Sequence, residues 1–284
     1  MKLFPASQFS IEELTEAYNK TRVDYLVPMP MTSQRLAEYV HDYDVSLDAS
    51  AVAVDEGEII GLCMLGLRDR HAWVTRLGVL PDLRKRHTGL HLVESVLNQA
   101  AEHDADEVYL EVIVGNTPAH NLFTRFGFHE IRKLLILRRP PSRPAETQDF
   151  FAALSKATTP QWLDHDQAVE LATQRSGLPA WTNRTETFRN VGNLRGMHID
   201  HSYGPGWVSF EETAFQLRRV MITTGGDMAI APAYSLLHHL HTHFPLLDTI
   251  AENIPADSPD LAAFYALGYV ASFVRIEMKR SIKD

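Results

Sequence analysis

Between Leu77 and Leu92 the chain reads LGVLPDLRKRHTGLHL: a strand-like run, a proline, three consecutive cations and the opening of a helical pattern. This order has a definite chemical use. The first backbone N–H groups of a helix lack intrahelical partners, and the helix dipole adds partial positive charge there. Arg84, Lys85 and Arg86 stand beside them, followed by His87, Thr88 and Gly89, where the missing Cβ lets the backbone approach a ligand closely. The segment suits a phosphate-bearing ligand. A solvated helix start would carry the same cations, and local composition alone favours that reading.

Other residues invite chemistry less strongly. His238, His239, His241 and His243 fall in one stretch, and His239 and His243 share a helical face. No acidic or cysteine partner accompanies them in a known metal pattern, so an amphipathic surface helix is expected there and no metal. Trp181, Tyr203, Trp207 and Phe210 are expected in the core or at a domain interface rather than as a stacking platform for bases.

The elements that must position these residues follow from periodicity. Ile11 to Lys20 and Thr32 to Val40 read as helices, the second capped by Thr32 and Ser33. Ala51 to Val54 and Glu58 to Leu67 read as strands around a tight turn at Asp55, Glu56 and Gly57, and Trp73 to Leu80 as the next strand. Leu90, Val93, Val96, Leu97, Ala100 and Ala101 form one helical face. Glu107 to Val114 reads as a buried strand, Thr117 to Phe126 as a helix with Pro118 in its first turn, and Ile131 to Arg138 as a strand.

Pro140, Pro141 and Pro144 make a rigid connector, which places a domain boundary between 1–140 and 141–284. Beyond it the chain repeats itself. EVIVGNTPAHNLFTRFGF from Glu111 lines up without a gap with ENIPADSPDLAAFYALGY from Glu252, a shift of 141 residues. Leu80 then falls on Met221, Pro118 on Pro259, Phe123 on Phe264 and Gly127 on Gly268. A duplicated fold is expected.

A chain of 284 residues, 45% hydrophobic and 22% charged, has the balance of a folding two-domain protein. Its formal charge of -9 argues against a nucleic-acid coat, and no nucleic-acid partner is expected. Cys63, the single cysteine, lies in an apolar run and is expected buried. Glu12 and Glu13 interrupt the amino terminus before any signal-peptide core develops, and no run reaches the ~20 apolar residues of a membrane span. A cytoplasmic location without membrane partners is the expectation.

The loop and its surroundings resemble the GNAT superfamily of acetyl-CoA-dependent N-acetyltransferases. Val79-Leu80-Pro81 followed by Arg84-Lys85-Arg86-His87-Thr88-Gly89 resembles the family's V-x-P and its Arg/Gln-x-x-Gly-x-Gly/Ala pyrophosphate loop. A second landmark comprises Leu110-Glu111-Val112, Asn116, Ala119, Leu122-Phe123 and Phe126-Gly127-Phe128. The resemblance covers roughly residues 50–139, reaches the amino terminus more loosely and extends to the second half through the repeat.

The resemblance implies an α/β fold with two GNAT-like domains, each a central mixed sheet splayed open and flanked by helices. Acetyl-CoA would lie in the first splay. Its pantetheine arm would pair with the backbone of Leu77, Gly78 and Val79, and its pyrophosphate with N–H groups from Arg84 through Lys85, Arg86, His87 and Thr88 to Gly89. Asn116, Ala119 and Phe123 would line the far side. Glu111, beside the splay, is the candidate base for the incoming ammonium, with a plain ion pair as the alternative and His71 as a weaker second candidate.

Two positions depart from the pattern. His87 stands at the first glycine, where a Cβ crowds the diphosphate unless the backbone geometry is ordinary, although its imidazole could also contact a phosphate. Phe123 replaces a tyrosine able to protonate the departing thiolate. In the second half, Gly225, Gly226, Asp227, Met228, Ala229 and Ile230 match the phosphate loop, and Asp227 disfavours diphosphate. That half is expected to be structural or to shape the acceptor pocket. The segment Asp24 to Met31 reads as an acceptor wall or as a core-packing connector. The expected activity is acetyl transfer to a primary amine on a small molecule or peptide. The alternatives are a non-catalytic CoA-binding or regulatory protein and a transferase for a different acyl chain.

Overall fold

A computed structural model of the protein describes residues 1–84, 87–143, 158–226 and 228–282. The chain forms two compact units, Met1–Ile131 with Ile276–Asp284, and Arg132–Arg275. Both are mixed α/β. Among the described residues no helix is long and apolar enough to cross a membrane.

In the first unit β1 (Lys2–Pro5), β2 (Val45–Asp55), β3 (Glu58–Arg68) and β4 (His71–Val79) are successive antiparallel neighbours, and β5 (Glu107–Ile113) joins β4 in parallel. The turn from Asp55 to Glu58 places Glu56 and Gly57 at φ 50° and 87°, the twist-matched geometry of a two-residue hairpin. β1 is absent from the sequence reading: four residues are too few to display alternation, and only their pairing with β2 reveals them.

Helices open where side chains can satisfy their first N–H groups. α1 (Ile11–Lys20) has a reciprocal cap, Glu13 N–H donating to Ser10 Oγ at 3.2 Å and Ser10 N–H to the Glu13 carboxylate at 2.8 Å. α2 (Ser33–Asp42) is capped by Thr32 Oγ1, which accepts from Arg35 N–H at 3.2 Å. α3 (Thr88–Glu102) buries Leu92, Val93, Val96, Leu97 and Ala100 against Ala53, Cys63, Val74 and Leu110 of the sheet. Each larger aliphatic side chain in that stripe contributes about 1.5–3 kcal/mol, so the periodic face fixes how the helix lies.

β4 and β5 pair only at His71↔Glu107, Ala72↔Val108 and Trp73↔Tyr109. Beyond Trp73 the strands part. A register irregularity in β4, with Arg76 at φ 53°, swings the second half of the strand away, as bulges do. α4 (Thr117–Arg125) follows β5, and β6 (His129–Arg139) follows α4.

The second unit contains β7 (Gln161–Leu163), α5 (His165–Thr173), α6 (Thr185–Val191), β8 (Leu194–His201), β9 (Gly204–Glu212), β10 (Gln216–Thr224), α7 (Ile230–His243), β11 (Asp248–Pro255) and α8 (Leu261–Ala266), with β12 (Val270–Ser281) after it. Its strand order is β6-β11-β10-β9-β8-β7. Near the sequence shift of 141 residues, β5, α4 and β6 fall on β11, α8 and β12. Details recur as well: β10 and β11 pair in parallel over a short stretch, Arg219 has φ 55° beside a register shift, and Gly127 and Gly268 have φ 82° and 87°.

The compact units do not follow the proline connector. Arg139, Leu137 and Leu135 of β6 pair with Thr249, Ala251 and Ile254 of β11. Residues from Ile276 onward belong to the first unit, where Met278 joins the core, Lys279 Nζ meets Glu107 at 2.6 Å and Ile282 N–H donates to Asp106 O at 2.9 Å. The last strand of each half thus completes the other unit. Backbone pairing overrides the 1–140 and 141–284 division because a strand edge is satisfied by whichever neighbour reaches it.

Candidate functional site

The splay exposes one edge of β4. Leu62 and Gly78 are opposed, and Leu80 N–H donates to Ile60 O at 2.9 Å, so positions 78 and 80 face β3. By alternation the backbone groups of Val79 and Leu77 turn outward, as an added strand would require. In the structure Leu77 O accepts from Arg22 Nη2 at 3.1 Å and Val79 O from Arg84 Nε at 3.2 Å. A Cβ on Gly78 would lie 2.3 Å from Thr21 Oγ1, so glycine is what permits this approach.

These contacts belong to a strap, residues 21–26, that crosses the opening. Arg84 donates to Thr21 O at 3.0 Å and grips Asp24 with two bonds of 2.7 and 2.8 Å. The guanidinium beside Asp24 holds that carboxyl below the usual carboxylate range. At the far rim Asn116 Nδ2 donates to Tyr25 OH at 3.4 Å, and Leu26 Cδ1 comes within 4.0 Å of where a Cβ on Gly115 would stand. The sequence reading assigned Arg84 to the ligand and left Asp24 to Met31 undecided. A separation of 60 residues between Asp24 and Arg84 leaves no local signal of their pairing.

At the loop itself His87 adopts φ 62° and ψ 4°, the left-handed region, rather than ordinary geometry. Histidine tolerates it better than most residues but at a cost glycine avoids. No side chain caps α3, and its first N–H donor among the described residues is His91, to His87 O at 3.1 Å. Among the described residues this helix start carries no side-chain cap, an arrangement suited to an anion. Thr88 is buried, and Gly89 leaves ordinary van der Waals room, 3.6 Å from Leu122. Lys85 and Arg86 lie outside the described residues.

Within the opening, Glu111 Oε2 accepts from Trp73 Nε1 at 2.8 Å. Tyr39 packs on the same indole at 6.0 Å, bonds Thr75 Oγ1 at 2.6 Å and carries the Arg76 guanidinium over its ring at 4.1 Å. Burial pushes the Tyr39 phenol up, which keeps it a proton-bearing group at neutral pH. Arg76 also donates to Tyr18 OH at 2.9 Å. The cluster places a carboxylate among aromatic rings beside two phenols.

The remaining expected residues divide. Asn116 caps α4, accepting from Ala119 N–H at 3.4 Å, and Ala119 is half-buried against the core. Phe123 is buried and packs on Phe128 at 5.8 Å, so the structure puts it in the core. His71 sits at the closed end of the splay, 3.9 Å from Glu107.

The comparisons with known proteins agree with this geometry. Residues 11–128 match the acetyltransferase (GNAT) family. This segment is a GNAT-family domain. An N-alpha-acetyltransferase of Sulfurisphaera tokodaii is 31% identical over 110 residues, spanning 34% of this chain and 64% of that protein. The match thus covers less than two thirds of that relative. A GCN5-related N-acetyltransferase of Sphaerobacter thermophilus superposes with TM-score 0.72 at 13% identity, over 97% of this chain and 93% of that one. A tandem GNAT protein from the clavulanic acid biosynthesis pathway gives 0.65 at 15% identity, over 100% and 99%. The likeness in fold runs the length of the chain.

In the second unit the glycines matching the first unit's loop pack against a neighbouring turn. Gly225 N–H donates to Pro205 O at 2.9 Å, and a Cβ on Gly226 would lie 2.1 Å from Tyr203 O, so the β8–β9 turn fills the space. Asp227 lies outside the described residues. Glu252, the counterpart of Glu111, pairs with Arg275 at 3.2 Å. Trp181, Trp207 and Phe210 are buried, whereas Tyr203 is exposed because it belongs to that turn and stacks on His201. His241 corrects the surface-helix expectation: it is buried, 2.9 Å from Tyr269 OH, and burial with Arg139 nearby lowers its pKa to about 3. Among the described residues no group of His, Cys, Asp and Glu could hold a metal.

Proposed function

We propose that the protein is an N-acetyltransferase that moves an acetyl group from acetyl-CoA to a primary amine by direct attack. The observation that carries this reading is the opening between β4 and β5, with an uncapped helix start at one rim and Glu111 inside. The residues fit the co-substrate: the outward edge of Leu77 and Val79 suits a pantetheine arm, and the N–H groups of Thr88 and Gly89 suit a diphosphate. When bound, acetyl-CoA supplies an activated thioester.

Glu111 takes the proton of the incoming ammonium, directly or through water. Attack by the neutral amine would form the C–N bond as the C–S bond breaks, and the nitrogen, left with a positive charge, would give its second proton to solvent. The thiolate is protonated from solvent, since Phe123 has no proton to give and the parent thiol has a pKa of ~8.5. The second unit, where Gly225 N–H is already bonded to Pro205 O and the β8–β9 turn crowds Gly226, serves as scaffold.

Titration of acetyl-CoA into the full chain tests the binding half: one equivalent is expected, two would restore the second unit as a site, and none would remove the reading. Free thiol released on addition of an amine panel tests the chemical half. Phe123 favours a second reading, a CoA-binding protein without turnover, which would take up one equivalent and release no thiol above background.

A further inference from the structure

We propose that Arg22 recognises a carboxylate on the acceptor, so that the acceptor is a free α-amino acid with an apolar side chain rather than the amino terminus of a peptide. This inference rests on the transferase reading. The Arg22 guanidinium lies 4.3 Å from the ring centroid of Tyr25 and 4.9 Å from that of Tyr18, and donates through Nη2 to Leu77 O at 3.1 Å. Its Nε is buried without a hydrogen-bond partner. Among the described residues no carboxylate pairs with it, whereas Arg68, Arg70 and Arg84 of the same unit each hold an aspartate.

A partly buried guanidinium with an unused donor is costly, and a carboxylate, with two oxygens in one plane, matches its fork. Position indicates which carboxylate. Arg22 rests on one side of Tyr18, whose hydroxyl binds Arg76, and Arg76 lies over Tyr39 next to the Trp73–Glu111 pair. A cation lacking an acidic partner among the described residues and the candidate base thus stand at the two ends of one run of aromatic rings, with Arg76 between them. An ammonium toward Glu111 and a carboxylate toward Arg22 is the charge pattern of an α-amino acid. In a peptide the same carboxyl is a neutral amide. Val23, Leu26 and Val114, 76%, 57% and 48% exposed, offer apolar surface at the same opening.

Leucine and leucinamide differ only in that group. Each is titrated into the wild-type protein and into Arg22→Gln, with and without CoA, at a pH where both amines are charged. Wild type is expected to prefer leucine by about ten- to a hundredfold, as a charge-assisted pair allows, and Arg22→Gln to lose the preference with CoA affinity unchanged or raised, since the Leu77 carbonyl that Arg22 covers is released. Arg22→Lys should keep part of it. Equal binding of the two ligands by wild type, or an unchanged preference in Arg22→Gln, overturns the inference. So does a fall in CoA affinity alone, which would assign the guanidinium to a phosphate. If CoA fails to bind, the transferase reading falls separately, and the titrations without CoA still decide the role of Arg22: failure of both ligands to bind ends it.

Discussion

The indole of Trp73 donates to the carboxylate of Glu111 at 2.8 Å, across the point where β4 and β5 part. Trp73 is in the last paired position of its strand, and Glu111 is two residues beyond Tyr109, its partner. The bond fixes one carboxylate oxygen. For a base this is orientation, and Glu111→Gln separates that role from packing because the amide still accepts the indole bond. We expect kcat to fall by about 10²–10³-fold, with acetyl-CoA affinity unchanged and the acidic limb of the pH–rate profile lost. A change under about threefold would leave Glu111 a structural group.

On the proposed reading, in which Arg84 stands beside a diphosphate, Asp24 competes for the guanidinium it already holds. Asp24→Asn is expected to tighten acetyl-CoA binding by about two- to fivefold, the scale of an exposed ion pair, and to speed amide exchange over residues 21–26. Because Arg84 holds the Asp24 carboxyl below its ordinary range, the pair is intact above the ordinary carboxylate pKa. It is lost only as pH falls through the lowered value, so the gain should persist from pH 6 to 8. Calorimetric titration and hydrogen exchange check both parts.

Gly78→Ala should push the strap off the edge of β4, since the new Cβ would meet Thr21 Oγ1 at 2.3 Å and Thr21 Cβ at 2.8 Å. A loss of about 1–3 kcal/mol is expected from such overpacking. Thr21→Ala should recover part of it, which urea unfolding of the two single variants and the double variant would reveal as coupling.

His241 makes the second unit acid-sensitive. Its folded pKa of about 3 lies below the unfolded value of about 6.5, so the unfolded chain binds the extra proton between those limits. Stability is complete above the unfolded value and declines as pH falls, by up to about 1.4 kcal/mol per pH unit. His241→Gln should flatten that slope between pH 6.5 and 5 in denaturant melts. A slope unchanged from wild type would mean that the buried imidazole does not drive it.

The sequence by itself determined the order of elements and the internal repeat, and it marked the loop after β4 as the candidate for binding phosphate. Those properties are written in neighbouring residues: Ser10 and Glu13 at a cap, Leu92, Val93 and Val96 along a helix face, Asp55 to Glu58 at a turn. Tertiary structure decided the left-handed backbone of His87, the burial of Phe123 and His241, and the completion of each unit by the other half's last strand. It also decided who holds whom at the site. Arg84 and Asp24 are 60 residues apart, Arg22 and Leu77 55, Trp73 and Glu111 38. Periodicity extends over a few turns of chain, whereas a side chain chooses its partner among whatever the fold brings within 3 Å. The location of the candidate site was therefore proposed from sequence alone, whereas its wiring was visible only in the fold.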